Sequence, residues 1–437
     1  MSAKAAAGNT SEAEADLPPL RICFVTDEIP GISPYTGGIG VQFLETAKAL
    51  AATGDQVTIV VHRSSRDLRF REEQRMVDGV TVRVRSVAPY RLLGIPKVVA
   101  APLSYALALG RCRRFDVVFA PEWGGWATLL ARLRHPSVLM ATCLATSFEQ
   151  VEQINFDGKP VQRMHRLQKV LERHQAEHSD LLIGVSTAIV DWTRRLWNVD
   201  HVPTSVVHNG LDTVWIRAAA GTHGDGAGDK RDPGTARPFT VYFAGRISPW
   251  KGADTLMEAM RGVWARYPEV VLTLAGRLEH SEGPLSVHGL QAEAAAAGGR
   301  LRLLGQLDRE ELFRELAASD VAVFPSRFEA FGIAALEAKI AGKPVIVTSG
   351  SGFTDFCTDG EDSLMVQPGN AVELEQAILR LYQEAELRRR LGEEAAIRSE
   401  ELDIRLAAKR LRSEFVAALD RRRPAPYDHM DDVPLRA

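Results

Sequence analysis

The sequence predicts an α/β protein built from two doubly wound parallel-sheet domains in series. Three observations predict it. At about 150 residues per domain, a chain of 437 residues exceeds one module. Short apolar runs alternate with amphipathic stretches of helical period in both halves. Near residue 239 the chain restarts the order strand, glycine-rich loop, helix, strand with which it opens.

Taken in order, residues 1–19 are Ala-rich with two Glu, lack the basic and apolar stretches of a secretory signal, and are expected to be a disordered arm. Arg21-Ile-Cys-Phe-Val-Thr is a strand, followed by a glycine turn at Gly37, Gly38 and Gly40. The spacing of Phe43, Leu44, Ala47 and Leu50 predicts a helix over 41–52, Gly54 closes it, and 56–61 is the next strand. Further runs at 116–120, 137–141 and 181–185 complete a first domain over 20–217. Residues 218–238 are nearly devoid of apolar side chains and read as a linker. The second domain, 239–402, repeats the pattern: strand 239–244, loop 245–252, helix 253–267, strand 270–275, then runs at 301–304, 321–324 and 344–347. These runs do not alternate apolar with polar, as expected of parallel strands covered on both faces. A helix over 403–420 is expected to pack back on the first domain, leaving a tail over 421–437.

Composition excludes several functions. Lys plus Arg is 53 against 56 for Asp plus Glu, a net charge of −3, which argues against a nucleic-acid binder. The first half is mildly basic, too weakly to favour a membrane-surface role. Cys23, Cys112, Cys143 and Cys357 form no C-x-x-C pair, so neither a disulfide framework nor a zinc site is indicated, and a cytoplasmic location fits. The most apolar stretch, 92–109, is interrupted by Pro96, Lys97 and Pro102, so no membrane span is expected.

Ligands of doubly wound domains bind at the carboxyl ends of strands, where strand order reverses. Three loops in such positions are unusual. Gly245-Arg246-Ile-Ser-Pro-Trp-Lys251-Gly252 places two cations where a polyphosphate can be met, although two solvated surface cations look the same in isolation. Pro325-Ser-Arg-Phe-Glu329-Ala-Phe331-Gly332-Ile333 leads into a helix whose free amides suit phosphate, and Glu337 on that helix can accept bonds from ribose hydroxyls. Either glutamate alone could merely stabilise a helix dipole; the pair at E-x7-E spacing is harder to explain so. Gly37-Gly38-Ile39-Gly40 lets backbone approach a phosphate or only makes a turn, and it lacks the G-x-G-x-x-G spacing of a dehydrogenase. Glu122-Trp123-Gly-Gly-Trp126 follows a strand and offers rings to a sugar face, with packing as the plainer reading. His174 and His178 lie four apart without a third ligand nearby, and no D-x-D triplet occurs, so no metal is assigned.

Together these segments resemble the retaining glycosyltransferases of family 4, with the GT-B fold of two Rossmann-like domains facing across a cleft. The resemblance covers residues 20 to 415 and includes Asn209-Gly-Leu-Asp212, similar to the segment that ends the family's first domain. It implies transfer of a sugar, with retention, from a nucleotide diphosphate donor to an acceptor hydroxyl. A UDP-sugar is the first choice of donor, and it is a co-substrate with no further cofactor. By resemblance, Arg246, Lys251 and Glu329 are catalytic, and Gly38, Ile39, Gly40, Phe331, Gly332, Ile333 and Glu337 complete the donor site. Base and sugar contacts are expected in 276–283 and around Phe353. Glu122, Trp123 and Ala145 are the acceptor-side candidates.

One departure stands out. The family carries a histidine near the donor sugar where this chain reads Thr142-Cys143-Leu144-Ala145-Thr146-Ser147; Ala145 takes its place, or Leu144 in the neighbouring register. Two alternatives stand beside the transferase: a nucleotide-sugar 2-epimerase on the same fold, which the missing imidazole disfavours, and a non-catalytic nucleotide-sugar-binding partner of another transferase, which the same absence suggests.

Overall fold

The computed structural model describes residues 18–33, 37–64, 72–87, 96–109, 113–154, 163–221, 237–278 and 284–422. Residues 1–17 of the arm, 222–236 of the linker, 279–283 and 423–437 lie outside the described residues, as does Cys112.

The first part of the chain contains β1 (Arg21–Thr26), α1 (Gly38–Ala52), β2 (Gln56–Ser64), β3 (Glu72–Val77), β4 (Val80–Val87), α2 (Lys97–Leu109), β5 (Val117–Pro121), α3 (Thr128–Leu133), β6 (Leu139–Leu144), α4 (Phe148–Ile154), α5 (Arg163–Glu177), β7 (Leu181–Gly184), α6 (Thr187–Leu196), β8 (Thr204–Val206) and α7 (Thr213–Ala219). The second contains β9 (Thr240–Ala244), α8 (Ala253–Arg266), β10 (Val271–Ala275), α9 (Val287–Ala296), β11 (Leu301–Gly305), α10 (Arg309–Ala317), β12 (Val321–Phe324), α11 (Ile333–Ile340), β13 (Val345–Thr348), β14 (Leu364–Val366), α12 (Ala371–Gln383), α13 (Ala385–Arg398) and α14 (Ile404–Arg422).

The strands form two sheets, ordered β3-β4-β2-β1-β5-β6-β7-β8 and β11-β10-β9-β12-β13-β14. Strand order reverses beside β1 and β5 in the first and beside β9 and β12 in the second, so the loops after these strands converge on a crevice. Among the described strands only β3 and β4 pair antiparallel. Their turn is Asp78-Gly79, with φ of 46° and 81°, the left-handed pair that suits a two-residue hairpin. The polar strand Glu-Glu-Gln-Arg-Met-Val makes no apolar run, which is why periodicity does not reveal it.

Burial explains the framework. β5, β6, β7, β12 and β13 are buried along their whole length, as strands with helices on both faces must be. Phe24 packs edge-on against Phe43 and Phe119, and Phe415 of α14 joins Phe119 at 5.4 Å. The last helix therefore lies in the core of the first sheet. Arg412 fixes it there, 3.0 Å from the buried carboxylate of Asp55, which also accepts the amide of Leu20 at 2.8 Å. No helix among the described residues is long and apolar enough to cross a membrane.

Under the second sheet, Lys339 of α11 and Asp362 form an ion pair at 2.7 Å whose side chains are 1% and 2% exposed. Lys339 also donates to the carbonyl of Phe356, and Asp362 accepts the amide of Thr358 at 2.7 Å. This network pins α11, and with it Glu337, to the loop after β13. Removing one partner from such a pair strands a buried charge, so Asp362→Ala should cost about 3–5 kcal/mol of unfolding free energy in urea titration. The paired replacement Lys339→Met with Asp362→Leu should recover most of that loss.

Candidate active site

Several of the described helices begin with a polar cap: Ser186, Asp212, Ser286, Asp308 and Asn370 each accept a backbone N–H from the first turn of α6, α7, α9, α10 and α12, and Ser147 and Asp403 do so for α4 and α14. The helices α1, α8 and α11 begin instead at Gly37, Gly252 and Gly332, with no side-chain cap. Amides at a helix start carry partial positive charge and lack intrahelical partners. An uncapped start beside a crevice is therefore a ready anion site.

Glycine is required at two of these starts. Gly252 has φ 71°, and a Cβ there would lie 1.9 Å from the carbonyl oxygen of Pro325. Gly332 has φ 109°, and a Cβ would lie 2.3 Å from the ring of Phe353. The loops after β9, β12 and β13 are thus pressed together, backbone against backbone.

Side chains then lock them. Trp250 donates its indole N–H to the carbonyl of Phe328 at 2.7 Å, and its own carbonyl accepts the amide of Arg327 at 2.8 Å. Arg327 meets Asp254 with two nitrogens at 2.8 and 2.7 Å. Lys251 Nζ lies 2.5 Å from Glu329 Oε2, which also accepts from Ser326 Oγ at 3.3 Å. The Arg246 guanidinium stands 5.3 Å over the ring of Trp250. Arg246, Lys251, Glu329, Phe331, Gly332 and Ile333 are therefore brought into one cluster, with a cation and a carboxylate held ready beside two uncapped helix starts.

Glu337, on the first turns of α11, is 16% exposed and faces Arg309 Nη2 at 3.8 Å. Burial pushes its carboxyl up to about 7, with Arg309 opposing the rise. The loop around Phe353 closes over Gly332 from the other side.

From the first sheet, Gly38 approaches this cluster: a Cβ on it would lie 3.8 Å from Ile333 Cδ1. Gly38, Ile39 and Gly40 form the first turn of α1, whose start already holds an acid, because Glu28 Oε2 accepts the amide of Gly37 at 2.6 Å. Burial raises the pKa of Glu28. The two parts of the chain also touch directly beside the cleft. Asp355 accepts from His208 Nε2 at 2.8 Å and from the amide of Thr187 at 2.7 Å, and Ser186 Oγ donates to Ala330 at 2.5 Å. The Asp355 carboxyl is held below its ordinary range: hydrogen bonds from His208 and Thr187 outweigh its burial.

On the acceptor side the structure differs from a simple reading of the sequence. Glu122 is 1% exposed and lies beneath its loop, with Oε1 accepting the amide of Ala145 at 2.7 Å and Oε2 lacking a partner. Burial pushes its carboxyl up to about 8. Trp123 and Ala145 are only partly buried. Trp126 is packed in the core beneath Lys97 Nζ, 5.0 Å from the ring centroid. His174 and His178 stack at 4.1 Å, and their ring nitrogens meet Thr128 Oγ1 at 3.0 Å and Arg132 at 2.9 Å. Among the described residues no group of three or more His, Cys, Asp or Glu could hold a metal ion.

Sequence reasoning did not single out Trp250, Asp254 or Arg327, although all lie within or beside the two quoted segments. Their role is contact between loops far apart in sequence, and no local pattern carries that information. Glu28 likewise has no signal, being an ordinary acid after a strand.

Two family profiles match the chain: Glycosyltransferase Family 4 over residues 36–215 and Glycosyl transferases group 1 over residues 229–398. A D-inositol 3-phosphate glycosyltransferase of Geodermatophilus obscurus is 31% identical over 371 residues, 80% of this chain and 79% of that protein. A glycogen synthase of Mycobacterium tuberculosis is 25% identical over 378 residues, 82% of this chain and 85% of that protein. Among solved structures, sucrose-phosphate synthase from Thermosynechococcus elongatus superposes with a TM-score of 0.70 at 21% identity, covering 91% of this chain and all of that one. HepE from Anabaena, in complex with UDP and glucose, gives 0.65 at 18% identity, with coverage of 91% and 100%. The chain belongs to the family 4 glycosyltransferases and has the GT-B fold.

Proposed function

We propose that this family 4 glycosyltransferase moves a hexosyl group from a UDP-sugar to an acceptor hydroxyl, with retention and without a metal ion. The observation that carries the reading is the cluster of Lys251, Glu329 and Arg246 at the uncapped starts of α8 and α11. Cleavage of the donor leaves negative charge on the β-phosphate and positive charge on the sugar. In this reading Arg246, Lys251 and the amides at the start of α11 stabilise the phosphate, and Glu329 faces the sugar. Such preorganised charge supplies much of the barrier lowering in transfer reactions. Glu337 accepts bonds from the ribose hydroxyls, and Gly38, Ile39 and Gly40 approach the phosphates from the first domain. We assign residues 20–217 to the acceptor and 239–402 to the donor, and a cytoplasmic location.

The departing phosphate oxygen takes the proton of the acceptor hydroxyl on the same face, so no enzymic nucleophile is needed. The domains orient the two substrates and exclude water. Ala145, where relatives would present an imidazole, favours a second reading as a donor-binding partner that lacks transfer activity of its own. Incubation with a panel of UDP-, GDP- and ADP-sugars and hydroxyl acceptors, inositol 3-phosphate and glucans included, separates them. Transfer from a UDP-sugar is expected, unaffected by EDTA. UDP binding with no transfer to any acceptor would support the partner reading, and a new epimer formed without acceptor would support an epimerase.

Two outcomes test the residues. Lys251→Ala and Glu329→Ala should each lower kcat/KM by about 100-fold or more while the melting temperature stays near that of the wild type. Second, protonated Glu337 loses the charge that attracts ribose hydroxyls. With a carboxyl titrating at about 7, binding is full above that pH and weakens below it. UDP affinity should fall about tenfold from pH 8 to pH 6 by calorimetry. Glu337→Gln should bind weakly at both pH values, with a smaller difference between them.

A further inference from the structure

The loops after β5 and β6 are tied to one polar face of α5. Gln168, Glu172 and Gln175 recur at helical spacing, and Ser179 continues the line just past the helix. Glu172, Gln175 and Ser179 are buried. Glu172 Oε1 accepts the amide of Gly124 at 2.8 Å and Gln168 Nε2 at 3.0 Å, while Oε2 accepts the amide of Phe148 at 2.8 Å. Gln175 accepts the amide of Ala127 at 2.8 Å and donates to the carbonyl of Pro121 at 2.9 Å. One carboxylate thus holds the backbone of both loops. Gly125, with φ 59°, lies so close to α5 that a Cβ would sit 2.6 Å from Leu171 Cβ.

A buried carboxylate is costly unless its bonds are satisfied, and an apolar side chain fills such a helix face more cheaply. What Glu172 supplies is two acceptor oxygens, aimed at amides that the strands cannot satisfy. On their open side the same loops carry Trp123, Phe148 and Ala145. The rings of Trp123 and Phe148 are 6.0 Å apart, and His165 of α5 lies 4.4 Å from Phe148. Ala145 is joined to the first loop through Glu122.

We propose that Glu172 is a positioning residue for the acceptor: from α5 it sets the register of the two loops that present Trp123 and Ala145 to the acceptor hydroxyl. The proposal rests on the transferase reading above. It assigns to the unused polar face of α5 a role in the acceptor half-site separate from donor binding.

The test compares Glu172→Gln, which keeps the shape and one acceptor oxygen, with Glu172→Leu, which keeps neither. With a donor and acceptor pair turned over by the wild type, Glu172→Leu should raise the acceptor KM about tenfold and Glu172→Gln less, from the loss of buried acceptor bonds. Donor KM should stay within about twofold in both. Hydrogen exchange on the intact protein needs no substrate: peptides over 122–128 and 145–150 should exchange about tenfold faster in Glu172→Leu, with 245–252 unchanged. Unchanged acceptor KM, equal changes in donor and acceptor KM, or faster exchange across the whole first sheet would overturn the proposal. If the wild type transfers to no acceptor, the transferase reading fails on that assay, and unchanged exchange in the two loops would separately sink the positioning role.

Discussion

Backbone amides at the start of a helix need partners, and the way this chain meets that need organises its cleft. Where α6, α7, α9, α10 and α12 begin, a Ser, Asp or Asn side chain turns back and caps the first turn. Where α8 and α11 begin, glycine occupies the cap because the next loop comes too close for any Cβ. The same crowding that excludes a side chain leaves the first turns without a side-chain cap, although in α8 the amide of Ala253 donates to the carbonyl of Ser248 at 3.2 Å. Close packing of loops and availability for an anion are therefore consequences of one constraint.

The buried side chains of Ile247, Phe328, Phe331 and Phe353 anchor the cleft loops in the core. Polar groups placed one layer back then fix how the loops meet. Arg327 with Asp254, and the Trp250 indole with the Phe328 carbonyl, join the loops after β9 and β12. Lys339 and Asp362 hold α11 from below, and Phe415 and Arg412 fasten α14 into the first sheet. In the acceptor half the corresponding supports are Glu172 and Gln175, acting from α5. A buried ion pair is an inefficient way to gain stability. Lys339 and Asp362 fix geometry instead, holding α11 with its cleft residues, while the partly exposed Arg327–Asp254 pair joins the two loops.

The architecture was largely legible in the sequence. Arg21 to Thr26, the helix before Gly54 and the restart near Phe239 carry local signals of periodicity and turn chemistry, and the structure has β1, α1 and β9 there. The hairpin of β3 and β4 was not legible: β3 is a polar edge strand, and β4, which pairs with β2 and turns Val80, Val82 and Val84 into the core, alternates them with Thr and Arg and so makes no continuous apolar run. The same limit applies to the site. The motif segments 245–252 and 325–337 could be found because several chemical requirements fall close together in sequence. Glu28, Asp254 and Glu172 act on backbone amides or side chains distant in the chain, and a single glutamate on a helix gives no sign that its partners are Gly124 and Phe148. Glu122 shows the opposite failure: its place after a strand suggested a residue open to the cleft, whereas the fold turns it inward under Ala145.

We propose that the glycine-headed starts of α8 and α11, with Lys251 beside them, form the diphosphate site. A crystal structure of the protein with UDP tests it most directly. The diphosphate is expected within hydrogen-bonding distance of Lys251 and of the first amides of α11, with the ribose hydroxyls on Glu337. A diphosphate bound away from these groups, with Lys251 still paired to Glu329 and Glu337 facing only protein, would contradict it.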